Sequence, residues 1–401
     1  MFNHFINEKR KVVYMEEQKT IYLDYAANTP VDEEVLSIFN ETTLKYYGNP
    51  NSNHHLGTIA KEQINIAEKK ILNNFKEKYH IEDDMELIYT SGASESNNLA
   101  IKGVAKAYRE YGKHVITTFL EHSSVSGPLT RLKEQGYEID LLNVNQEGKV
   151  DLNHLRQLLR KDTILVSIAS VDSEIGTIQP IQEIAKMLKE YPNCFFHVDC
   201  TQSIGKINMN LEGADFISFA PHKFYGLNGF GGLLKKKGIA LEPLIHGGTS
   251  TTIYRSGTPV TGQIVAMERA VELAIKNQNY RYQYVEELNI TLRNQLKQYE
   301  KVQINTMSQE NPYILNLSIK GVKAVDFKQE LEKYGVCISI KSACSSVISP
   351  SRSVMAITHD RKRALSSWRI SLSHLVTKEE IEEFLKIFDI CYQKLCKEEG
   401  N

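Results

Sequence analysis

Three polar side chains lie where two successive apolar segments of the sequence end. The segment FFHVDC carries Asp199, and the following segment runs through SFAPHK, which carries His222 and Lys223. A lysine can form a Schiff base with a carbonyl compound once burial or nearby cations lower its pKa. A buried aspartate needs a cationic partner or several hydrogen bonds, and both a protonated ring nitrogen and a structural arginine satisfy it.

A possible anion site precedes these residues in the sequence. In IYTSGASESNNLAIKG, a strand leads through small residues into a helix, so Gly92, Ala93 and Ser94 offer backbone N–H groups at the helix start. Each feature alone is common in proteins without such a role. Together, an anion site, a buried aspartate and a following lysine are what a phosphorylated pyridine aldehyde requires.

Alternating β-rich and amphipathic segments between Glu86 and Leu234 provide the elements that must position these residues. The predicted strands are ELIYT, HVITTF, EIDLLNV, TILVSIAS, FFHVDC, FISFA and GGLLK. This alternation predicts a mainly parallel sheet with helices on both faces, whose ligands bind beyond the carboxyl ends of the strands.

The pattern changes after Asn277 to a long polar helix followed by strands and helices of a smaller α+β unit, which ends in a helix with a Thr377/Glu380 capping box. We predict a large domain at 31–277 and a small domain at 278–401, joined by the segment 19–30. Residues 1–18 form an N-terminal extension to which we assign no role.

Bulk composition narrows the class of protein. The 48 basic and 49 acidic residues give no global field that favours nucleic acid, and no apolar stretch reaches the roughly 20 residues of a membrane helix. We therefore expect a cytoplasmic protein with no membrane or direct nucleic-acid partner. The six cysteines show no CxxC pair or zinc-type spacing, so we expect neither a disulfide scaffold nor a metal site.

Ten motifs in order along residues 21 to 390 resemble the cysteine desulfurases of the class V aminotransferases. They are YLDYAANTP, YGNPNSNHHLG, TSGASESNNLAIKG, EHSSV, EIGTIQP, VDCTQSIGK, PHKFYG, RSGTP, SACSS and WRISL. The resemblance implies fold type I of the pyridoxal 5'-phosphate (PLP) enzymes, with a mainly parallel seven-stranded sheet in an α/β large domain and a smaller α+β domain.

The same resemblance assigns roles around the cofactor. Lys223 is expected to form the Schiff base with PLP, Asp199 to pair with the ring nitrogen, and Gln202 to bind the ring hydroxyl. His122 is expected to stack on the ring and assist proton transfer. The expected phosphate ligands are Ala93, Ser94, His222 and, from the second subunit of a homodimer, Thr258.

The resemblance also implies the substrate, L-cysteine, and the fate of its sulfur. Arg369 is expected to bind the α-carboxylate, with Asn49 as a second substrate-binding residue. Cys344, in a serine-rich loop, is expected to attack the substrate sulfur, so that the products are alanine and a Cys344 persulfide. The long loop resembles those of desulfurases that pass sulfur to acceptor proteins, in iron–sulfur cluster assembly or tRNA thiolation.

Several positions depart from the family pattern. Ser173, an expected cofactor-binding residue, stands where the family usually has an asparagine that contacts the ring hydroxyl and the substrate. Ala220 stands where a phosphate-binding serine is usual, Lys341 stands where glycine is usual, and TSTTIY precedes RSGTP in place of a charged segment. These departures leave two alternatives beside a desulfurase. One is a related PLP β-lyase such as a selenocysteine lyase, and the other is a catalytically weak relative that binds a partner.

Overall fold

The computed structural model describes residues 20–248, 252–341 and 349–397. The predictions for residues 1–18 and for Cys344 lie outside this range. In chain order the strands are β1 (Ile21–Tyr22), β2 (Met85–Thr90), β3 (His114–Thr118), β4 (Glu138–Leu142), β5 (Thr163–Ala169), β6 (Phe195–Asp199), β7 (Phe216–Phe219), β8 (Gly231–Lys236), β9 (Val302–Ile304), β10 (Ile314–Ile319), β11 (Val336–Cys337) and β12 (Ser367–Ser371).

The helices connect and cover these strands. They are α1 (Glu33–Lys45), α2 (His55–Tyr79), α3 (Ala93–Ala107), α4 (Ser123–Glu134), α5 (Leu152–Leu158), α6 (Ile181–Leu188), α7 (Thr261–Lys276), α8 (Gln278–Leu296), α9 (Ala324–Glu332), α10 (Arg352–Thr358), α11 (Arg361–Leu365) and α12 (Lys378–Lys397), with a 3₁₀ turn at Pro221–Lys223.

Seven strands form the large sheet in the order β2-β8-β7-β6-β5-β3-β4. The predicted seven strands and the mainly parallel pairing are confirmed, since β3 to β7 all pair in parallel. The exception is β8, which is antiparallel to both β2 and β7. Only a 3₁₀ turn lies between β7 and β8, and a parallel return needs a longer crossover that usually contains a helix.

The large sheet is buried on both faces, as parallel sheets usually are. Successive side chains of one strand enter two different apolar clusters: Phe216 packs with the helices α3 and α4, whereas Ile217 packs with α2 and α7. Strand residues alternate between the two faces of a sheet, so both faces are covered by helices. This burial fixes the carboxyl ends of the strands, from which the candidate site is built.

A smaller unit contains the antiparallel sheet β9-β10-β12 and the parallel pair β1-β11. Its core includes Trp368 of β12 and Phe388 of α12, whose rings lie 6.1 Å apart. The predicted capping box of α12 is confirmed, because Glu380 N–H donates to Thr377 Oγ1 and Thr377 N–H donates to Glu380 Oε2. The domain boundary near residue 277 stays a prediction.

The N-terminal segment at residues 20–30 connects the two sheets. β1 pairs with β11, and Ser371 N–H donates to the Leu23 carbonyl at 2.8 Å. A few residues later, Thr29 N–H and Thr29 Oγ1 both donate to the carbonyl of His222, next to the carboxyl end of β7. One short segment therefore contacts the small sheet and the turn that carries Lys223.

Candidate active site

A cavity of about 330 Å³ opens where the strands of the large sheet end. It lies against the carboxyl ends of β2, β3, β5 and β6, against the 3₁₀ turn and against β12. Its lining residues are Ala26, Ala27, Ser91, Gly92, Ala93, Ser94, Leu120, His122, Ser124, Ala169, Val171, Ser173, Asp199, Thr201, Gln202, His222, Lys223 and Arg369. Nine of the predicted site residues are therefore brought together by four strand ends, the 3₁₀ turn and β12.

One end of the cavity can hold an anion. Helix α3 begins at Ala93, directly after Gly92, whose φ of +150° is in the region that favours glycine. A side chain on Gly231 would come within 2.6 Å of the Gly92 backbone, so this approach of strand and turn requires glycine. The Ala93 and Ser94 N–H groups belong to the first turn of the helix, where N–H groups lack helical partners and the helix dipole favours negative charge.

His222 lines the same cavity. Its Nδ1 atom is buried and has no hydrogen-bond partner among the described residues. Burial, together with the charges of Lys223 and Lys206, lowers the pKa of His222 to about 4, so the ring is neutral at pH 7. An unpartnered buried nitrogen in a cavity lining is a group that a ligand oxygen can satisfy.

The carboxylate of Asp199 lies at the carboxyl end of β6 and is almost fully buried. Its Oδ1 accepts from Thr201 N–H at 2.9 Å and from the Thr201 hydroxyl, and its Oδ2 accepts from Asn97 Nδ2 at 2.8 Å. These donors hold the carboxylate in one orientation in the cavity lining. Its remaining lone pairs suit a protonated ring nitrogen.

Lys223 follows the next strand on the 3₁₀ turn. Its Nζ donates to the carbonyls of Ala26 at 2.8 Å and Ala27 at 2.7 Å, which belong to the N-terminal segment. Gln202 Nε2 also donates to the Ala26 carbonyl, at 2.8 Å. The predicted Schiff-base lysine and the predicted ring-hydroxyl ligand therefore share one acceptor.

A second lysine lies beneath these groups. Lys206 is buried, and its Nζ donates to Gln202 Oε1 at 3.2 Å. Burial lowers the pKa of Lys206 to about 7, and the charges of Lys223 and Arg369 lower it further in the same direction. Lys206 therefore fixes the amide of Gln202 and, because its pKa is lowered, adds less positive charge to the site than an ordinary lysine.

His122 is the N-cap residue of α4, and its Nδ1 accepts from Ser124 N–H at 3.1 Å. The Ser124 hydroxyl lies 2.8 Å from the same nitrogen. Burial is the main cause that lowers the pKa of His122 below its ordinary value, so the imidazole is neutral at pH 7.

Arg369 of β12 is almost fully buried at the other end of the cavity. Its Nη2 donates to Asp24 Oδ1 at 2.7 Å and its Nη1 donates to the Ser173 carbonyl at 2.6 Å. Its Nε is buried without a partner among the described residues. The guanidinium is thus held on two sides and keeps N–H groups that a carboxylate can accept from.

Two predicted site residues lie elsewhere, and one cannot be located. Asn49 is exposed and its side chain caps Asn51 N–H, away from the cavity lining. Thr258 is exposed and does not line the cavity of its own chain. Cys344 belongs to residues 342–348, outside the described range, so the roles of all three stay predictions.

The positions that depart from the family pattern occupy distinct places. Ala220 is fully buried before the 3₁₀ turn, which has no side-chain cap. Ser173 lines the cavity and holds Arg369 through its carbonyl. Lys341 Nζ donates to Ser349 Oγ at 3.1 Å. These two residues precede and follow positions 342–348, which lie outside the described range, and they are hydrogen-bonded to each other.

Several residues around the site were not identified from the sequence. Asn97, Ser124, Thr201, Lys206 and Asp24 all hold predicted site residues through hydrogen bonds. Each lies within one of the ten motifs, although the motif of Asp24, YLDYAANTP, contains no predicted site residue. The sequence signal that could have identified them is their polar character and their position inside these motifs.

The arrangement provides an amine, an aligned carboxylate, an anion site and a buried arginine around one cavity. These groups fit PLP, whose phosphate, ring nitrogen and aldehyde need an anion site, a carboxylate and an amine respectively. Among residues 20–248, 252–341 and 349–397, no group of three His, Cys, Asp or Glu side chains is placed to hold a metal ion. In the same part of the chain, no helix is long and apolar enough to cross a membrane.

Comparison with known proteins gives consistent matches along the chain. The class V aminotransferase family matches residues 21–384. The cysteine desulfurase IscS of Dictyoglomus turgidum is 39% identical over 383 residues, which are 94% of this chain and 96% of that protein. The cysteine desulfurase IscS of Buchnera aphidicola subsp. Baizongia pistaciae is 40% identical over 376 residues, which are 92% and 91% of the two chains.

Solved structures give the same result. A NifS-like protein superposes with a TM-score of 0.84 at 33% identity and covers 92% of this chain and 99% of its own. A NifS-like protein from Rickettsia africae superposes with a TM-score of 0.81 at 29% identity, covering 93% and 99%. The similarity therefore extends over more than nine-tenths of this chain and nearly all of each of the two solved chains.

Proposed function

This chain belongs to the class V aminotransferase family, among its PLP-dependent cysteine desulfurases, and on this premise we propose that Lys223 binds PLP covalently and that Cys344 receives the sulfur of L-cysteine. The observation that carries the proposal is that Lys223, Asp199 and Arg369 line one cavity beside the start of α3. The described part of the chain has fold type I of the PLP enzymes.

The proposed cofactor ligands follow from the contacts in the cavity. Ala93, Ser94 and His222 bind the phosphate, Asp199 pairs with the ring nitrogen, and Gln202 binds the ring hydroxyl. When bound, PLP withdraws electrons from the substrate Cα and so makes its proton acidic. The chain's own part is to hold these groups rigid: Thr201 and Asn97 fix Asp199, and Lys206 fixes Gln202.

We propose that Arg369 binds the α-carboxylate of L-cysteine. Asp24 and the Ser173 carbonyl hold its guanidinium in place, so little conformational entropy is lost when the carboxylate binds. Ser173, which stands where the family resemblance implies asparagine, also lines the cavity. Asn49 is retained as a second substrate contact in this proposal.

The sulfur step is balanced without any added oxidant or reductant. The Cys344 thiolate attacks the substrate sulfur, an S–S bond forms, and the substrate C–S bond breaks with its electron pair moving toward Cα. The Cα proton leaves before this attack and returns to Cα afterwards, and a proton equivalent to the one that the Cys344 thiol lost on ionising is added at Cβ, so that L-alanine leaves and Cys344 carries a persulfide. We propose that Lys223, the lysine of the 3₁₀ turn, moves the Cα proton.

The persulfide then passes to an acceptor. We propose a sulfur-acceptor protein, of the iron–sulfur assembly type by similarity to the IscS relatives or of the tRNA-thiolation type. We further propose a cytoplasmic homodimer in which Thr258 contacts the phosphate in the neighbouring subunit. The exposure of Thr258 in its own chain supports this arrangement.

Two variants test the proposed chemistry. Cys344→Ser should keep PLP and bind L-cysteine but release no sulfide and show no protein persulfide by mass spectrometry. The matched control is Cys337→Ser, which removes a half-buried thiol on β11 and should leave sulfide release unchanged. Sulfide release by Cys344→Ser would instead indicate a β-lyase that needs no persulfide.

Lys223→Ala tests the cofactor assignment separately. This variant should contain no PLP that borohydride can fix covalently to the protein, because no other lysine is located on the 3₁₀ turn. Covalently fixed PLP in Lys223→Ala would refute the assignment, and wild-type protein without the PLP absorbance band would point to the non-catalytic, partner-binding alternative.

A further inference from the structure

A directional hydrogen-bond chain connects Asp199 to His122. Asn97 Nδ2 donates to Asp199 Oδ2 at 2.8 Å and to Ser124 Oγ at 2.9 Å, and Ser124 Oγ lies 2.8 Å from His122 Nδ1. Asn97 is fully buried. The chain crosses from the end of β6 through α3 to the start of α4.

The direction of each bond is fixed by its two ends. An ionised carboxylate only accepts, so the Asn97 amide nitrogen must face Asp199, and its second N–H then donates to Ser124. At the other end, the Ser124 backbone N–H donates to His122 Nδ1 at 3.1 Å, so this nitrogen carries a lone pair. The Ser124 hydroxyl accepts from Asn97 and therefore donates its own hydrogen to His122 Nδ1.

Two donors on Nδ1 determine the tautomer of His122. A neutral imidazole has one protonated nitrogen, so the proton is on Nε2. A proton on Nδ1 would have to displace both the Ser124 hydroxyl hydrogen and a backbone N–H that cannot rotate away. Asn97 Oδ1, buried without a partner among the described residues, shows that the amide is held in this orientation at some cost.

We propose that Ser124 is a positioning residue that keeps His122 neutral, with its proton on Nε2, by linking it through Asn97 to Asp199. His122 then acts at rest as a hydrogen-bond donor through Nε2 and not as a proton acceptor. The inference rests on the proposed function only for its consequence in catalysis, because the tautomer itself follows from contacts within the chain.

The charges around His122 act in both directions. Burial lowers its pKa, and the charges of Lys223 on the 3₁₀ turn and Arg352 on α10 lower it further, whereas Asp199 at the end of β6 and Glu174 after β5 raise it. Ser124 adds a contribution that these charges do not supply, because it distinguishes the two ring nitrogens.

Histidine-selective ¹⁵N NMR of the PLP-loaded enzyme tests the inference. The twelve histidines are resolved by comparison with His122→Gln, which identifies the signal of residue 122. In wild type, Nδ1 of His122 should have the chemical shift of an unprotonated nitrogen from pH 6 to pH 9. In Ser124→Ala, the midpoint of the His122 titration should move to higher pH and the preference for the Nε2-protonated tautomer should weaken, because only the backbone N–H of residue 124 still donates to Nδ1.

Two further variants distinguish positioning from folding. Ser124→Thr keeps the hydroxyl and should restore the wild-type titration, whereas Ser123→Ala, whose side chain makes no hydrogen bond to His122 in the described structure, should not change it. In sulfide assays, Ser124→Ala should lose roughly threefold to tenfold in kcat, corresponding to one hydrogen bond, with the acid limb of its pH profile moved to higher pH.

The result that overturns the inference is a protonated Nδ1 in wild type, or a Ser124→Ala titration identical to that of wild type. Failure of the proposed function would be a different result, namely no sulfide from L-cysteine with the wild-type enzyme. The NMR outcome is readable in either case, so the two failures cannot be confused.

Discussion

Replacing Lys206 by methionine is expected to stabilise the cofactor-free protein, although the replacement removes a hydrogen bond. The amine is almost fully buried, and burial with the charges of Lys223 and Arg369 lowers its pKa from 10.5 to about 7. The unfolded chain therefore binds the Lys206 proton more tightly than the folded chain, which opposes folding at neutral pH.

The size of the effect follows from the two pKa values. At pH 7, the lowering of the Lys206 pKa from 10.5 to about 7 reduces the free energy of unfolding by about 4 kcal/mol. Loss of the hydrogen bond to Gln202 Oε1 reduces this gain in stability by roughly 1 kcal/mol. The amide oxygen that is left without a partner reduces the gain further. Methionine fills a similar volume, so Lys206→Met should raise the free energy of unfolding by about 2 to 3 kcal/mol at pH 7.

The pH dependence gives the sharper test. Because the folded-state pKa lies below the unfolded-state pKa, the unfolded chain binds more protons between about pH 7 and 10.5, and wild-type stability rises with pH through that window. The difference in the free energy of unfolding between Lys206→Met and wild type should therefore decrease by about 2 kcal/mol between pH 7 and pH 9. Urea denaturation of both proteins without PLP, at the two pH values, measures this difference.

Lys235→Met is the matched control. Lys235 is equally buried, but its Nζ pairs with Glu86 Oε1 at 2.7 Å. Removing this amine leaves the Glu86 carboxylate without its partner, so Lys235→Met should destabilise the protein by about 1 to 3 kcal/mol. A Lys206→Met protein that is no more stable than wild type, with a difference independent of pH, would show that Lys206 is charged and well paired.

Three other changes concern ligand binding. Arg369→Lys keeps the charge but loses the planar fork, so the KM for L-cysteine should rise roughly 10-fold to 100-fold, and an unchanged KM would remove Arg369 from the substrate site. His222→Phe should raise the dissociation constant of PLP roughly 10-fold or more, measured by equilibrium dialysis. Ala220→Ser should make the binding free energy of PLP more favourable by up to roughly 1 to 2 kcal/mol. An unchanged dissociation constant of PLP would mean that the new hydroxyl caps the 3₁₀ turn instead.

The positions of Asp199 and Lys223 could be predicted because both follow apolar segments. Parallel strands end at one edge of a sheet, so two polar residues placed after two such segments had to lie close together. The boundaries of the large-sheet strands were also readable, since the predicted segment TILVSIAS contains β5 and exceeds it by one residue. The direction of β8 was not readable, because GGLLK has the same apolar character in either orientation.

The residues that hold the site were harder to predict, for a physical reason. Ser124 has the composition of an ordinary helix start, and its role depends on Asn97, which lies on a different helix. Lys206 lies four residues after Gln202, a spacing that suggests a helical pair, but its lowered pKa results from burial and from two distant cations. Such contacts depend on the assembled fold and have no local pattern.

The N-terminal segment also determines when the site can be completed during synthesis. Ala26 and Ala27, whose carbonyls hold Lys223, precede the large sheet in the chain, but Ser371, whose Oγ accepts from Ala26 N–H at 2.9 Å, follows it. The large sheet has all of its strands once β8 has left the ribosome, more than a hundred residues earlier. The large sheet of a nascent chain can therefore form during translation, but residues 20–30 can make their contacts with β12 only after β12 has emerged from the ribosome. Completion of the site therefore waits for β12, and not for formation of the large sheet.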